Sequence, residues 1–199
     1  MSSGITEIPV LILASASPRR RELLSEAGYT FEVIPPRESA ECGVCSGETP
    51  AELVMRLARQ KAEDVVRRCE AGLVVGCDTV AECQGHILGK PRDADHARQM
   101  LRLIRGREHR VLSGLCLWDV ATDRHKTRVA VTRLTMESIS DDQLQSYLES
   151  GSWEGKAGAF GYQDGHDWLH IIDGSQSNVV GLPMELLAEM MGELAEPQE

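Results

Sequence analysis

An α/β fold built on a mixed sheet is what this sequence predicts, on three observations. For most of the chain, short apolar runs alternate with helices that carry clear start signals. The run Leu73-Val74-Val75-Gly76-Cys77-Asp78-Thr79-Val80-Ala81 is almost continuously apolar, which fits a central strand buried on both faces. Two β-rich stretches, residues 110–118 and 126–136, lie back to back around a turn at 121–124. Such an antiparallel hairpin interrupts strict alternation, so the sheet is expected to be mixed rather than all-parallel.

The elements follow in order. Residues 11–14 read as a buried strand that breaks at Ser15 and Ser17 and restarts at once as a helix. Ser17 is the expected N-cap, and Pro18 fits the first helical position, where a missing N–H costs nothing. Gly28 supplies the stop. Residues 29–34 read as a short strand, and 35–47 as a loop rich in Pro, Gly, Cys and acids. Thr49-Pro50-Ala51-Glu52 is a capping box that opens a long helix with Leu53, Leu57, Val65 and Val66 apolar and Lys61 mid-way. After the central strand, a turn at Gln84-Gly85 leads into residues 86–88 and then Gly89-Lys90-Pro91. Asp93 caps a helix through Arg105 with Ala97, Met100, Leu101 and Ile104 on one face, ended by Gly106. Beyond the hairpin, Ser140 and Gln143 form a second capping box for a helix ending at Gly151. A glycine-rich loop over 151–165 precedes a strand at 168–172, and Pro183 starts a last helix with Leu186, Leu187, Met190 and Met191 buried. Residues 196–199 read as a frayed tail.

At 199 residues the chain supports one sizeable domain, 1–199, with ample core. No apolar run is long enough to cross a membrane and no signal-peptide layout is present, so a cytoplasmic location is expected. The six cysteines are then expected to be reduced. Cys42 and Cys45 form a CxxC, but no second pair accompanies it, so an ordinary loop is favoured over a zinc knuckle. A net charge of −10 argues against broad nucleic-acid binding, which needs a basic face. It leaves room for a small anionic substrate, for which positive charge need only be local.

The densest local positive charge is the opening segment. A helix N-terminus presents free N–H groups and a partial positive charge. Here Ser15 and Ser17 stand before it, and Arg19, Arg20 and Arg21 occupy its first turn. Arginine forks match phosphate oxygens bidentately. The segment therefore reads as a phosphate cradle, although a capped surface helix with solvated arginines has the same local pattern. Asp78, a carboxylate inside an apolar strand, is costly to bury without a partner. It reads either as a backbone cap or as an acid in a cleft that binds a divalent ion or takes a proton from water. Lys90 can be returned by the short hairpin to the same end of the sheet, and Lys61 sits on the preceding helix; each alone could be merely solvated. Glu38 and Glu41 lie in the loop before that helix and offer further oxygen ligands for a hard cation. No histidine pair shows metal spacing. Together these parts suit metal-assisted hydrolysis at phosphorus.

The ordered motifs Ser-Ala-Ser-Pro-Arg-Arg, Gly-Cys-Asp-Thr, Gly-Lys-Pro, Lys-Ala-Gly-Ala-Phe-Gly-Tyr-Gln and Val-Val-Gly-Leu-Pro resemble those of the Maf family of nucleoside triphosphate pyrophosphatases, from about residue 11 to 187. The resemblance implies a two-lobed fold related to inosine triphosphate pyrophosphatases, with the active site in the cleft between lobes. It implies hydrolysis of a nucleoside triphosphate to monophosphate and pyrophosphate with a divalent cation, Mg²⁺ or Mn²⁺. Carried over residue by residue, Ser15, Ser17, Arg19 and Arg20 match the phosphate-binding motif, and Lys61 and Lys90 the lysines near the triphosphate. Asp78 matches the general base, with Asp78 and Glu41 as the acidic metal partners. A homodimer is also what the resemblance implies.

Within the family one branch favours dTTP and UTP and another 7-methyl-GTP. Arg19, Thr79, Lys156 and Gln163 resemble the first. An amide at Gln163 can pair with both the carbonyl and the N–H of a pyrimidine edge. Gly155, Phe160 and Ser113 depart from commoner Asp, Tyr and Thr. The expectation is a dTTP/UTP pyrophosphatase. The alternatives are a 7-methyl-GTP pyrophosphatase and a non-catalytic nucleotide-binding regulator of cell division, since the family is also associated with inhibition of septum formation.

Overall fold

The computed structural model describes residues 10–40 and 47–195. In chain order its strands are β1 (Leu11–Ala14), β2 (Phe31–Val33), β3 (Leu73–Cys83), β4 (His86–Leu88), β5 (Glu108–Asp119), β6 (Arg124–Met136) and β7 (Leu169–Asp173). Its helices are α1 (Pro18–Glu26), α2 (Pro50–Val66), α3 (Ala94–Ile104), α4 (Asp141–Glu149), α5 (Gln176–Val180) and α6 (Met184–Ala195). The seven strands form one sheet in the order β2-β1-β3-β5-β6-β7, with β4 paired to the far end of β3. Pairs β1–β2 and β1–β3 are parallel, whereas β3–β5, β5–β6, β6–β7 and β3–β4 are antiparallel. The sheet is mixed, and β3 lies inside it, as its apolar run implies.

Local sequence signals set most helix starts. Both capping boxes are formed: Thr49 with Glu52 at α2, and Ser140 with Gln143 at α4. The Asp93 carboxylate accepts from His96 N–H and starts α3. Gly28 stands just past α1 with φ +78°, the left-handed position where glycine stops a helix. Ser17 departs from expectation. It occupies the N-cap position, but its hydroxyl makes no capping bond. Its own backbone N–H donates to Ser15 Oγ instead. The hairpin strands extend two residues further toward the turn than the pattern predicts at β6, and β3 runs on to Cys83. The short helix α5 has no counterpart in the sequence pattern.

Alternation along the strands splits the core. Leu11, Leu13, Val75, Cys77, Leu115 and Leu117 face α1 and α6 and pack on Leu24, Leu187 and Met190. Ile12, Ala14, Val74 and Cys116 face the other way, onto Ala58, Ala62 and Val65 of α2. A separate cluster joins Ala81, Cys83, Leu88, Val111, Leu134 and Met136 at the opposite ends of the long strands to α3, α4 and Phe160. Two lobes are therefore strung on β3, β5 and β6, and a cleft opens where one core gives way to the other.

Helix α2 meets the sheet at unusually short range because two crossing points lack side chains. A Cβ on Gly76 would fall 2.2 Å from the carbonyl oxygen of Ala58, and one on Gly114 would fall 2.1 Å from that of Val54. Gly114 is the cross-strand partner of Asp78. The helix backbone therefore rests on the sheet beside Asp78.

Candidate active site

The cleft has a volume of about 1050 Å³ and is lined by Ser15, Ser17, Arg19, Arg20, Lys61, Asp78, Thr79, Lys90 and Gln163, with Glu38 at its edge. Residues spread from 15 to 163 in sequence thus meet in one cavity. Glu41, Cys42 and Cys45 lie outside the described residues. Arg21 is exposed and faces a separate surface hollow with Glu22 and Ser25.

Asp78 and Thr79 are neighbours on β3, and the pleat sends them to opposite faces. On the α2 face, Lys61 Nζ donates to Asp78 Oδ1 at 2.6 Å, and Lys61 is 6% exposed. The close seat of α2 on Gly76 and Gly114 brings these two together. Among the described residues, Asp78 Oδ2 accepts no hydrogen bond and looks onto the cleft.

On the other face, Thr79 belongs to a frame built around Arg20. The Arg20 guanidinium is 9% exposed. Nε donates to the Gly181 carbonyl at 2.8 Å, Nη1 to the Cys77 carbonyl at 2.8 Å and to Ser15 Oγ at 3.0 Å, and Nη2 to Thr79 Oγ1 at 3.3 Å. Thr79 Oγ1 also lies 2.8 Å from Ser113 Oγ. Four of the five guanidinium N–H donors are thereby committed within the protein. Arg20 holds β1, β3 and the α5–α6 junction in register and presents only its remaining Nη2 N–H beyond them. The opening segment is thus a braced turn in which one arginine is internal, one spans the cleft and one is outside.

The spanning residue is Arg19, whose Nη2 donates to the Gly155 carbonyl at 2.9 Å. Gly155 opens the loop of the second lobe that also carries Lys156 and Gln163. Lys156 pairs with Asp164, whose Oδ2 accepts the Tyr147 hydroxyl at 2.6 Å. Burial, reinforced by the adjacent Asp164 carboxylate, pushes the Tyr147 phenol well up. Lys90 is exposed at the cleft mouth, and the preceding Gly89 carbonyl accepts from Gly158 N–H at 3.1 Å, which ties β4 to the same loop. Deep in the wall, burial pushes the His109 imidazole down toward its neutral form.

A divalent cation fits this donor set. Mg²⁺ is typically held by one or two carboxylates plus substrate phosphates rather than by a full protein cage. Asp78 Oδ2 provides one hard oxygen toward the cleft, and Glu38 stands at its rim. Among the described residues no group of three His, Cys, Asp or Glu side chains forms a cage. The described cysteines 69, 77, 83 and 116 are free thiols.

The profile of the Maf-like protein family matches residues 10–194. The chain belongs to this family. A relative from Rhodopirellula baltica, named dTTP/UTP pyrophosphatase, is 57% identical over 190 residues, 95% of this chain and 84% of that one. Another of the same name, from Geotalea uraniireducens, is 43% identical over 87% of this chain and 89% of its own. Among solved structures, a HAM1 protein from Coxiella burnetii covers 96% of this chain and 100% of its own with a TM-score of 0.50 at 14% identity, a likeness of fold. The two-lobed fold expected of the chain is thus shared with that HAM1 protein. The sequence marks Ser113 only as a departure from a commoner Thr, without its bond to Thr79, and gives no sign of Gly76 and Gly114 as helix seats. Asp164 also went unmarked, although it had a local signal, an acid eight residues past Lys156 in a glycine-rich loop.

Proposed function

We propose that this Maf-like protein is a nucleoside triphosphate pyrophosphatase that hydrolyses dTTP and UTP to the monophosphate and pyrophosphate. The single observation that carries the chemistry is the Lys61–Asp78 pair at 2.6 Å, with the second Asp78 oxygen open to a cleft lined by cations. The pyrimidine preference rests on the activity named for a relative with 57% identity and on Thr79, Lys156 and Gln163 in the same cleft.

In this reading Lys61 fixes the Asp78 carboxylate by engaging Oδ1. Oδ2 accepts a proton from a water, whose oxygen attacks the α-phosphorus. The bond from that phosphorus to the α,β-bridging oxygen breaks, and pyrophosphate leaves with the electron pair. Ser15, Ser17, Arg19, the remaining Arg20 donor and Lys90 hold the phosphates, while Thr79 and Gln163 help select the base. Asp78 and Glu41 would hold the Mg²⁺ or Mn²⁺, which when bound supplies charge neutralisation at the phosphates.

Among the described residues no helix is long and apolar enough to cross a membrane. A cytoplasmic location, a single domain over 1–199 and a homodimer complete the proposal, the last tested by light scattering on a sizing column. The deciding experiment is pyrophosphate release across dTTP, UTP, 7-methyl-GTP and the common purine triphosphates, with and without a chelator. Turnover of dTTP and UTP above the rest is expected. Preference for 7-methyl-GTP moves the protein to the other branch, and nucleotide binding without any release makes it a regulator.

A further inference from the structure

The loop that carries Gln163 is closed on itself by an ion pair that the scheme above does not use. Lys156 Nζ pairs with Asp164 Oδ1. Asp164 Oδ2 accepts the Tyr147 hydroxyl at 2.6 Å and the backbone N–H of Gly161 at 3.1 Å. Tyr147 stands on α4, 2% exposed, and its ring packs against Phe160 with centroids 4.7 Å apart. Both oxygens of Asp164 are thus engaged, unlike those of Asp78. The loop makes room for the pair by omitting a side chain: a Cβ on Gly161 would lie 2.6 Å from both Asp164 Oδ1 and Lys156 Nζ.

Two consequences follow. The Lys156 charge is compensated at contact range, so its pull on a triphosphate is weak, while its other ammonium N–H groups keep a fixed direction. Gln163 is exposed in the cleft and directly precedes Asp164, so anchoring Asp164 to α4 limits where the Gln163 amide can reach. A donor of fixed direction beside an amide suits the carbonyl and N–H edge of a pyrimidine better than it suits phosphate.

We propose that Asp164, braced by Tyr147, is a specificity-positioning residue that aims Lys156 and Gln163 at the pyrimidine base. The proposal rests on the dTTP/UTP reading above. Asp164 touches neither the water nor the phosphates, and acts through its neighbours.

The test compares wild type with Asp164→Asn, and with Tyr147→Phe as a variant that keeps the ring packing. The readouts are kcat and KM for UTP and for a purine triphosphate, with inhibition by inorganic tripolyphosphate as a base-free control. Loss of a charge-assisted contact is expected to raise the UTP KM about ten- to a hundred-fold in Asp164→Asn, and less in Tyr147→Phe. kcat is expected to stay within about three-fold, tripolyphosphate inhibition to be unchanged, and the preference for UTP over purine to fall. Lys156→Met is expected to abolish the further effect of Asp164→Asn, since the two act as a unit. An undiminished UTP preference in both variants overturns the proposal, as does a parallel loss of tripolyphosphate binding, which means general loosening. Wild type that releases no pyrophosphate from dTTP or UTP overturns the functional reading itself, which is a separate result.

Discussion

Replacing Gly76 by alanine probes whether the seat of α2 on the sheet is what assembles the catalytic pair. The added Cβ would lie 2.2 Å from the Ala58 carbonyl oxygen and 2.9 Å from both the amide nitrogen and Cβ of Ala62. A Cβ essentially never comes within 3.0 Å of such atoms, so α2 must retreat by about 0.8 Å. Lys61 rides on that helix. Carried outward by the same amount, its 2.6 Å contact with Asp78 would stretch to about 3.4 Å, longer than the usual N–H···O distance and correspondingly weak. Over-packing of this kind costs about 1–3 kcal/mol, or more when the obstacle is backbone. At this chain length that corresponds to a drop of roughly 2–12 °C in melting temperature. A misplacement near 1 Å can cost about a hundred-fold in rate, so turnover is expected to fall by at least about ten-fold. Thermal unfolding and pyrophosphate release from dTTP, measured on the same preparation, check both halves. A Gly76→Ala protein with wild-type melting and wild-type turnover would refute the reasoning.

Three further outcomes are expected. Asp78→Asn should lose turnover by orders of magnitude while calorimetry still detects triphosphate binding; near-normal turnover would remove Asp78 from the role of base. Arg20→Lys should destabilise the protein by about 2 kcal/mol or more, read by urea unfolding, because one ammonium cannot serve the Gly181 and Cys77 carbonyls and two hydroxyls in the planar geometry of a guanidinium. Glu82 reports on acid stability. Burial works to raise its pKa, but bonds from Gly85 N–H and Arg110 outweigh it and leave the carboxyl below its ordinary 4.5. Its stabilisation is therefore full above about pH 4.5 and lost as pH falls through the lower folded value. Glu82→Gln should melt lower at pH 7 yet show a flatter decline in the acid range; equal slopes would contradict this.

What the sequence revealed and what it hid divide along the range of the interactions. Thr49 with Glu52 and Ser140 with Gln143 lie three residues apart, so their capping boxes are legible without knowing what surrounds them. The central position of β3 is legible because burial on both faces leaves a continuous apolar run. Helix α5 has five residues and no periodicity to display. It is set by Asn178, which donates to the Val111 carbonyl and Thr132 Oγ1 across the sheet. Lys61 looks like any solvated helix lysine until two glycines on distant strands let α2 settle. The fate of the three arginines was hidden for the same reason, since adjacent residues on a helix start diverge by about 100° each and meet quite different neighbours.

The bond from Arg20 to the Gly181 carbonyl joins positions 161 residues apart, and this bears on the order of synthesis. A ribosome delivers the serines, arginines and Asp78 well before Gly181 and the α6 residues that pack on β1 and β3. Until that late segment arrives, one side of the Arg20 fork has nothing to hold. An incomplete chain braces the turn on which phosphate would rest with only three of the four Arg20 bonds. Removing the chain beyond α5 would take away the same bond. Competence to act on nucleotides is in this way tied to the integrity of the whole polypeptide.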